Sequence, residues 1–239
     1  MKKTAGFTLI ELMIALAVTT VILGGVYLSY ASQQKSYVNQ EAVAVMQQNI
    51  RAAEMMLERD LRATGFIDRT KYPVPPVNLG FIEAKQQSCQ ITMDQNDNGV
   101  IDDPSETVDY RHILNAGTNI WEIQRREGGA GGAYFSVADN IDAFDLVYFG
   151  WRDNGSGVTL TVLNGPGGGA VAAADRALIN SVQITIVARS GRGDPGYVDQ
   201  TVYANQQGTV IFTPTPANNN FRRRIITIKT QCRNQWYRS

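Results

Sequence analysis

The sequence predicts an α+β fold in which a long N-terminal transmembrane and amphipathic helix packs on an antiparallel β-sheet domain. The first observation is an apolar run from Phe7 to about Tyr30, which is long enough for a helix that crosses a bilayer. The second is a helical stripe of apolar residues that continues from Val38 to Leu61. The third is a series of short alternating segments after Cys89, which is typical of strands. A helix followed by a run of strands is the α+β arrangement.

The composition fits one globular domain in addition to the helix. The chain has 239 residues, of which 44% are hydrophobic and 18% charged, and its 22 basic residues balance its 22 acidic ones. A general nucleic-acid binder would carry a clear excess of positive charge, so nucleic acid is not an expected partner. The single histidine, His112, argues against histidine catalysis and against a multi-histidine metal site. No nucleophile–base set stands out, and we expect no enzymatic activity.

The apolar run contains one charged residue between Phe7 and Tyr30, namely Glu11. A cleaved secretory signal would have a shorter apolar core and a small-residue exit site. A simple membrane anchor would avoid the carboxylate, because an acid inside a bilayer is costly. A third interpretation gives Glu11 a role. Cleavage between Gly6 and Phe7 would create an amino group four residues before Glu11, and the carboxylate of a neighbouring copy would neutralise it.

The third interpretation is supported by the motif Gly6-Phe7-Thr8-Leu9-Ile10-Glu11-Leu12. This motif closely resembles the type III signal of type IV pilins and of the pseudopilins of type II secretion. The resemblance implies cleavage after Gly6 and N-methylation of Phe7 by a prepilin peptidase, with Glu11 acting in assembly. It also implies packing with other major and minor pilins through the N-terminal helix, starting from an inner-membrane assembly platform.

Four segments follow from these patterns. Residues 1–6 are expected to form the leader peptide, 7–30 the transmembrane helix in contact with lipid, 31–65 its amphipathic continuation, and 66–239 a β-rich globular domain. Two lysines precede the span and favour a cytoplasmic N-terminus. The expected location is therefore the bacterial inner membrane, crossed once, with the bulk of the chain in the periplasm and later in the pilus at the cell surface.

The amphipathic continuation shows apolar residues at steps of three and four, namely Ala42, Val45, Met46, Ile50, Ala53, Met56, Leu57 and Leu61. Gly65 suits a helix C-terminal cap, so we predict one helix from about Phe7 to Ala63. A proline-rich loop is expected over residues 66–88. The predicted strands lie at about 90–93, 106–111, 119–125, 143–151, 179–189 and 221–230, with a short helical turn at 172–175.

A second, more diffuse resemblance concerns the subfamily. Residues 51–66, 106–111, 140–151 and 222–224 resemble minor pilins of the PilW type. This resemblance implies a structural subunit of a type IV pilus that takes part in assembly or priming, near the tip. One alternative is a J-type pseudopilin of a type II secretion system. Another is a membrane-tethered module whose task is adhesion or calcium binding.

A candidate calcium loop begins at Asp94. Oxygen-bearing side chains at alternate positions, followed by Gly99, resemble the start of an EF-hand or dockerin loop. The candidate ligands are Asp94, Asn96, Asn98, the carbonyl of Val100, Asp102 and Glu106. Glu106 stands one position later than the closing acid of the motif. The alternative is an Asx-rich turn between strands, since Asp and Asn tolerate tight backbone angles.

The two cysteines, Cys89 and Cys232, lie far apart in the sequence. An oxidising periplasm would favour a disulfide between them, which we predict, and the alternative is a pair of unpaired buried thiols.

A basic cluster is formed by Arg222, Arg223, Arg224, Arg233 and Arg238. Such a cluster would contact DNA or another anionic surface, or form a solvated strand edge that blocks aggregation, which we favour. The tryptophans are expected in the core or at an interface rather than in a ligand platform, and they are Trp121, Trp151 and Trp236.

Overall fold

The computed structural model describes residues 6–153, 155, 157–165 and 169–235. The predicted leader, except Gly6, lies outside the described residues, as do Trp236 and Arg238. The chain divides into two compact units, Met1–Ala44 and Val45–Ser239. The boundary between the two units lies within the segment predicted as the amphipathic helix.

The helix α1 spans Leu9–Ala63, so its predicted end is confirmed and its start lies two residues later than predicted. Every described side chain from Gly6 to Tyr37 is exposed. Apolar residues therefore face outward on all sides of this part of α1, as expected of a helix that meets lipid or other helices. Among the described residues, α1 is the one helix long and apolar enough to cross a membrane.

The C-terminal part of α1 forms a buried stripe in the second unit. Its buried apolar residues are Met46, Ile50, Ala53, Leu57 and Leu61, which confirms the predicted periodicity. Fully buried leucines of this kind stabilise a fold by about 1.5–3 kcal/mol each. Val45 is an exception because its side chain is exposed. The helix ends at Ala63, and Gly65 adopts the left-handed conformation expected of a cap, with φ of 75°.

The first sheet is an antiparallel meander, as predicted. Its strands follow one another in chain order: β1 (Gly80–Ala84), β2 (Ser88–Thr92), β3 (Thr107–Asn115), β4 (Ile120–Glu127) and β5 (Tyr134–Asp139). The sequence interpretation missed β1, which lies inside the predicted loop, and β5. Each is an outer strand that pairs with one neighbour in this sheet.

The second sheet has the order β11-β8-β6-β7, with every pairing antiparallel. Its strands are β6 (Ile141–Asp153), β7 (Val158–Val162), β8 (Ile179–Arg189) and β11 (Arg223–Gln231). The predicted bounds of β8 are confirmed, and β7 was missed. A small hairpin of β9 (Tyr203–Ala204) and β10 (Val210–Phe212) was also missed, because two or three residues carry no readable period.

Strand β8 is buried on both faces. Apolar and polar residues alternate along it, and the polar residues Ser181, Gln183 and Thr185 are each no more than 2% exposed. The β9–β10 hairpin accounts for the second buried face, since Tyr203 packs on Val187. The turn between β9 and β10 also satisfies a buried polar group of β8, because Nε2 of Gln183 donates a hydrogen bond to Oε1 of Gln207 at 2.8 Å.

Candidate functional site

The N-terminus of α1 is closed by a reciprocal pair of hydrogen bonds between Thr8 and Glu11. The backbone N–H of Glu11 donates to Oγ1 of Thr8 at 3.3 Å, and the backbone N–H of Thr8 donates to Oε2 of Glu11 at 2.9 Å. The Thr8 hydroxyl donates to the same oxygen at 2.8 Å. This is a capping box, in which a Thr and a Glu three residues later satisfy free N–H groups of the first turn. The Thr-x-x-Glu spacing was readable in the sequence and was missed.

The predicted cleavage site lies just before this cap. Residues 6–8 precede the first helical residue, Leu9, and the side chain of Phe7 is 91% exposed. A Cβ added at Gly6 would meet no atom within 4 Å. The Gly6–Phe7 peptide bond therefore lies outside the helix and is exposed.

Residues 1–27 match the family model described as the prokaryotic N-terminal methylation motif. The N-terminus of the chain therefore carries a prepilin-type methylation motif, and the helix α1 begins within it. The motif implies processing by a prepilin peptidase and assembly with other pilins, and the exposed apolar helix fits a membrane-anchored pilin.

Among solved structures, the chain is similar to a type IV-like pilin from Thermus thermophilus. The two are 13% identical with a TM-score of 0.40, and the match covers 79% of this chain and 97% of that chain. No curated protein matches the chain.

The start of the candidate calcium loop is organised by Asp94, which is fully buried. Its Oδ1 accepts the backbone N–H of Asn98 at 3.3 Å, and its Oδ2 accepts that of Gly99 at 2.9 Å. The Oδ1 of Asn96 also accepts the N–H of Asn98, at 3.0 Å. Gly99 has φ of 83°, and an added Cβ would come within 2.4 Å of the Tyr72 ring, so this turn requires glycine.

The end of the loop is organised by Glu106, which is also fully buried. Its Oε2 accepts the backbone N–H groups of Asp102 and Asp103, each at 3.0 Å, and its Oε1 accepts that of Gln95 at 3.2 Å. These bonds join the two ends of the loop directly before β3 begins. Glu106 belongs to a 3₁₀ turn, Pro104–Glu106, rather than to the strand predicted over 106–111.

The carboxylates of Asp94 and Glu106 are therefore engaged with the loop's own backbone amides, which is the behaviour of an Asx-rich turn. Across residues 6–153, 155, 157–165 and 169–235, no group of three or more His, Cys, Asp or Glu side chains is placed to hold a metal ion. Calcium would have to compete with hydrogen bonds that the folded loop already makes. Calcium binding by this loop stays a prediction.

If the loop binds calcium, titration of the purified protein should give heat at a dissociation constant of about 10⁻⁴–10⁻³ M, the range of extracellular sites. Bound calcium should also raise the melting temperature by linkage. Asp94→Asn should abolish both effects. Asp153→Asn is the matched control, because that exposed carboxylate accepts the Gly155 N–H in a different loop. No heat and no melting shift in millimolar calcium would show that the segment is a turn only.

The predicted basic cluster is dispersed by the fold. Arg223, expected at a solvated edge, has a side chain that is 0% exposed and forms ion pairs with Asp142 at 2.6 Å and Asp199 at 3.1 Å. Two carboxylates neutralise this buried charge, which the desolvation cost of a lone guanidinium requires. Arg222 pairs with Asp194 at 2.9 Å. The prediction of a solvated basic edge is therefore wrong for Arg223, although β11 is an edge strand as expected.

The tryptophans in the described range are not core residues. Trp121 is 41% exposed and Trp151 is 39% exposed. Trp121 packs against His112 with ring centroids 4.8 Å apart. Both tryptophans therefore lie at the surface, and His112 covers one face of Trp121.

Cys89 and Cys232 are both buried, and the structure contains them as free thiols rather than as the predicted disulfide. Burial raises the pKa of Cys89, and the charges of Asp109 and Cys232 add to this effect. Burial also raises the pKa of Cys232, to about 12. Both sulfurs are therefore protonated at neutral pH and unreactive in the folded protein. The disulfide stays a prediction for protein matured in an oxidising compartment.

The disulfide prediction is tested on protein isolated without reductant, unfolded in urea and treated with a maleimide of high mass. We expect no added mass without prior reduction and two adducts after it, because the chain has two cysteines. In the chain-entropy model a loop of this length would stabilise the fold by about 4–5 kcal/mol. Reduction should therefore lower the melting temperature. Two adducts in the unreduced sample would exclude the bond.

Sequence reasoning missed a buried polar cluster between α1 and the first sheet. Asp60 is 4% exposed, and its Oδ2 accepts hydrogen bonds from Nε of Arg125 at 2.8 Å and from the Tyr110 hydroxyl at 2.7 Å. Burial opposes the charge on Arg125, but Asp60 and Glu127 raise the pKa of this side chain. The cluster fixes the last turns of α1 to strands β3 and β4.

Proposed function

We propose that this protein is a minor pilin, a structural subunit of a type IV pilus that takes part in assembly or priming near the tip. The observation that carries the proposal is the methylation motif at the head of a helix whose apolar side chains are exposed on every side as far as Tyr37. Apolar surface of this extent must be covered by lipid or by other helices. The prepilin crosses the inner membrane once, with its N-terminus in the cytoplasm and its β-rich unit in the periplasm.

Glu11 has the geometry to serve both the single chain and the fibre. Both hydrogen bonds from Thr8 go to Oε2. Oε1 is then the oxygen that meets the methylated amine of Phe7 on a neighbouring subunit. An amine in a low-dielectric surrounding needs an anion, so this pairing sets the register of one helix against the next.

The proposal is tested first by the mature N-terminus. Mass spectrometry of protein from cells with an active prepilin peptidase should show a chain that begins with methylated Phe7. Gly6→Val is the matched variant, because the structure has space for a side chain there and the fold should not change. It should keep Met1 and remain uncleaved. A wild-type chain that keeps Met1 beside an active peptidase would contradict the proposal.

The same motif supports one alternative, a J-type pseudopilin of a type II secretion system. The resemblance to PilW-type minor pilins favours the pilus. Affinity purification after cross-linking in membranes distinguishes the two machines, because a minor pilin should recover the major pilin and the pilus assembly platform. Recovery of secretion components in their place would select the pseudopilin.

A further inference from the structure

The edge strand β7 exposes an apolar surface that the second unit leaves uncovered. It pairs with β6 on one side and is the last strand of its sheet in the described part of the chain. Val158, Leu160 and Val162 are 63%, 38% and 44% exposed. They lie on one face of the strand, next to Trp151, which stands opposite Leu160 in the ladder.

The backbone of β7 is oriented to accept another strand. The N–H of Leu163 donates to the carbonyl of Tyr148 at 2.8 Å, so position 163 faces β6. In an antiparallel ladder the backbone groups of alternate residues point to opposite sides. Val158, Leu160 and Val162 therefore direct their N–H and C=O groups to the free edge.

The opposite edge of the same sheet differs from β7. Strand β11 carries the exposed residues Arg224 and Lys229, and natural proteins place such charges on edge strands to prevent pairing with other chains. Strand β7 has the sequence Val-Thr-Leu-Thr-Val and carries no charge and no proline. Within the described residues, strand β7 itself therefore carries none of the charges or prolines that oppose pairing with another strand.

The sequence of β7 is a palindrome centred on Leu160. In antiparallel pairing with itself, Leu160 stands opposite Leu160, Val158 opposite Val162, and Thr159 opposite Thr161. Apolar residues then meet on one face and threonines on the other, and both are favourable cross-strand pairs. Val158, Leu160 and Val162 would then all form main-chain hydrogen bonds with the second copy, because residues two positions apart in a strand direct their backbone groups to the same side.

We propose that β7 is a homotypic interface, in which β7 of a second copy of this chain adds antiparallel with Leu160 on the two-fold axis. The interface is isologous, since each copy presents the same surface to the other. The two four-stranded sheets become one sheet of eight strands, and strand addition of this kind draws its affinity from main-chain hydrogen bonds.

A five-residue strand is a small contact, so affinity between free molecules should be weak. Two chains anchored in one bilayer meet at a raised effective concentration, which favours the pairing without further contacts. The interface depends on the proposed membrane anchor only for this higher effective concentration. The pairing register is set by the palindromic sequence of β7.

The test is cysteine cross-linking of the full-length chain in membranes under mild oxidation. Hydrogen-bonded antiparallel residues have Cα atoms about 5.5 Å apart, within the range of a disulfide. Leu160→Cys should therefore give a covalent dimer of identical chains. The wild type should give none, because Cys89 and Cys232 are buried.

Val158→Cys is the matched control, because in this register two copies of position 158 are about 13 Å apart. It should not cross-link alone, but it should do so when mixed with Val162→Cys chains. Adding Leu160→Lys to both partners should abolish that cross-link. Circular dichroism shows that each variant is folded. A folded Leu160→Cys chain that stays monomeric, joins a different protein, or cross-links no better than Val158→Cys would overturn the proposal.

Discussion

Replacing Asp60 by alanine is expected to lower the free energy of unfolding by about 3–5 kcal/mol. The substitution leaves the buried guanidinium of Arg125 without its main partner and removes the acceptor of the buried Tyr110 hydroxyl. Arg125 would then keep only the half-exposed Glu127 as a partner, so most of the desolvation cost of its charge would no longer be offset. Urea unfolding of the full-length protein in detergent, followed by tryptophan fluorescence, measures the loss.

Two further variants test whether the loss comes from the buried pair. Glu58→Ala, in the same helix, removes an exposed ion pair with Arg62 and should change stability by only about 0.3–0.5 kcal/mol. The double variant Asp60→Leu with Arg125→Met replaces the pair by apolar side chains and should recover most of the stability. Equal effects of Asp60→Ala and Glu58→Ala would contradict the role of Asp60. If the double variant is as unstable as Asp60→Ala, the decrease in the free energy of unfolding comes from lost packing rather than from the unpaired charge.

Elements that show a clear local periodicity of apolar residues were predictable from the sequence. The end of α1 at Ala63 was predictable because the periodic apolar residues stop at Leu61. Its cap at Gly65 was predictable because glycine tolerates a left-handed backbone. The bounds of β8 follow from an alternation that no Gly or Pro interrupts. The prepilin motif was also readable, because its residues are adjacent and none depends on the rest of the fold.

Features that depend on contacts distant in the chain could not be predicted. Asp60 and Arg125 are 65 positions apart, so no local pattern in the sequence connects them. Arg223 was assigned to a solvated basic cluster because its neighbours in the sequence are also arginines. Its ion-pair partner Asp142 lies 81 positions earlier and could not be recognised from the sequence. The second buried face of β8 depends on the hairpin around Tyr203, whose two strands are too short to show a period.

Glu11→Ala should leave membrane insertion unchanged or improved, because it removes a charge from an apolar segment. It should reduce incorporation into the fibre by at least about tenfold, because the amine of Phe7 on the neighbouring subunit then lacks its anion. Membrane fractionation measures insertion. Co-purification with sheared pili, relative to the major pilin, measures incorporation.

Glu11 has two roles in this interpretation, and Glu11→Gln separates them. Glutamine retains an oxygen that accepts the Thr8 N–H, so the capping box survives, since Gln serves at this position as Glu does. It carries no charge and does not neutralise an amine. Thr8→Ala does the reverse, because it removes the hydroxyl and keeps the carboxylate. If the charge governs assembly, Glu11→Gln should be as defective as Glu11→Ala, and Thr8→Ala should assemble at close to the wild-type level. Normal incorporation of Glu11→Gln, together with a defect in Thr8→Ala, would show instead that Glu11 acts by holding the first turn of the helix.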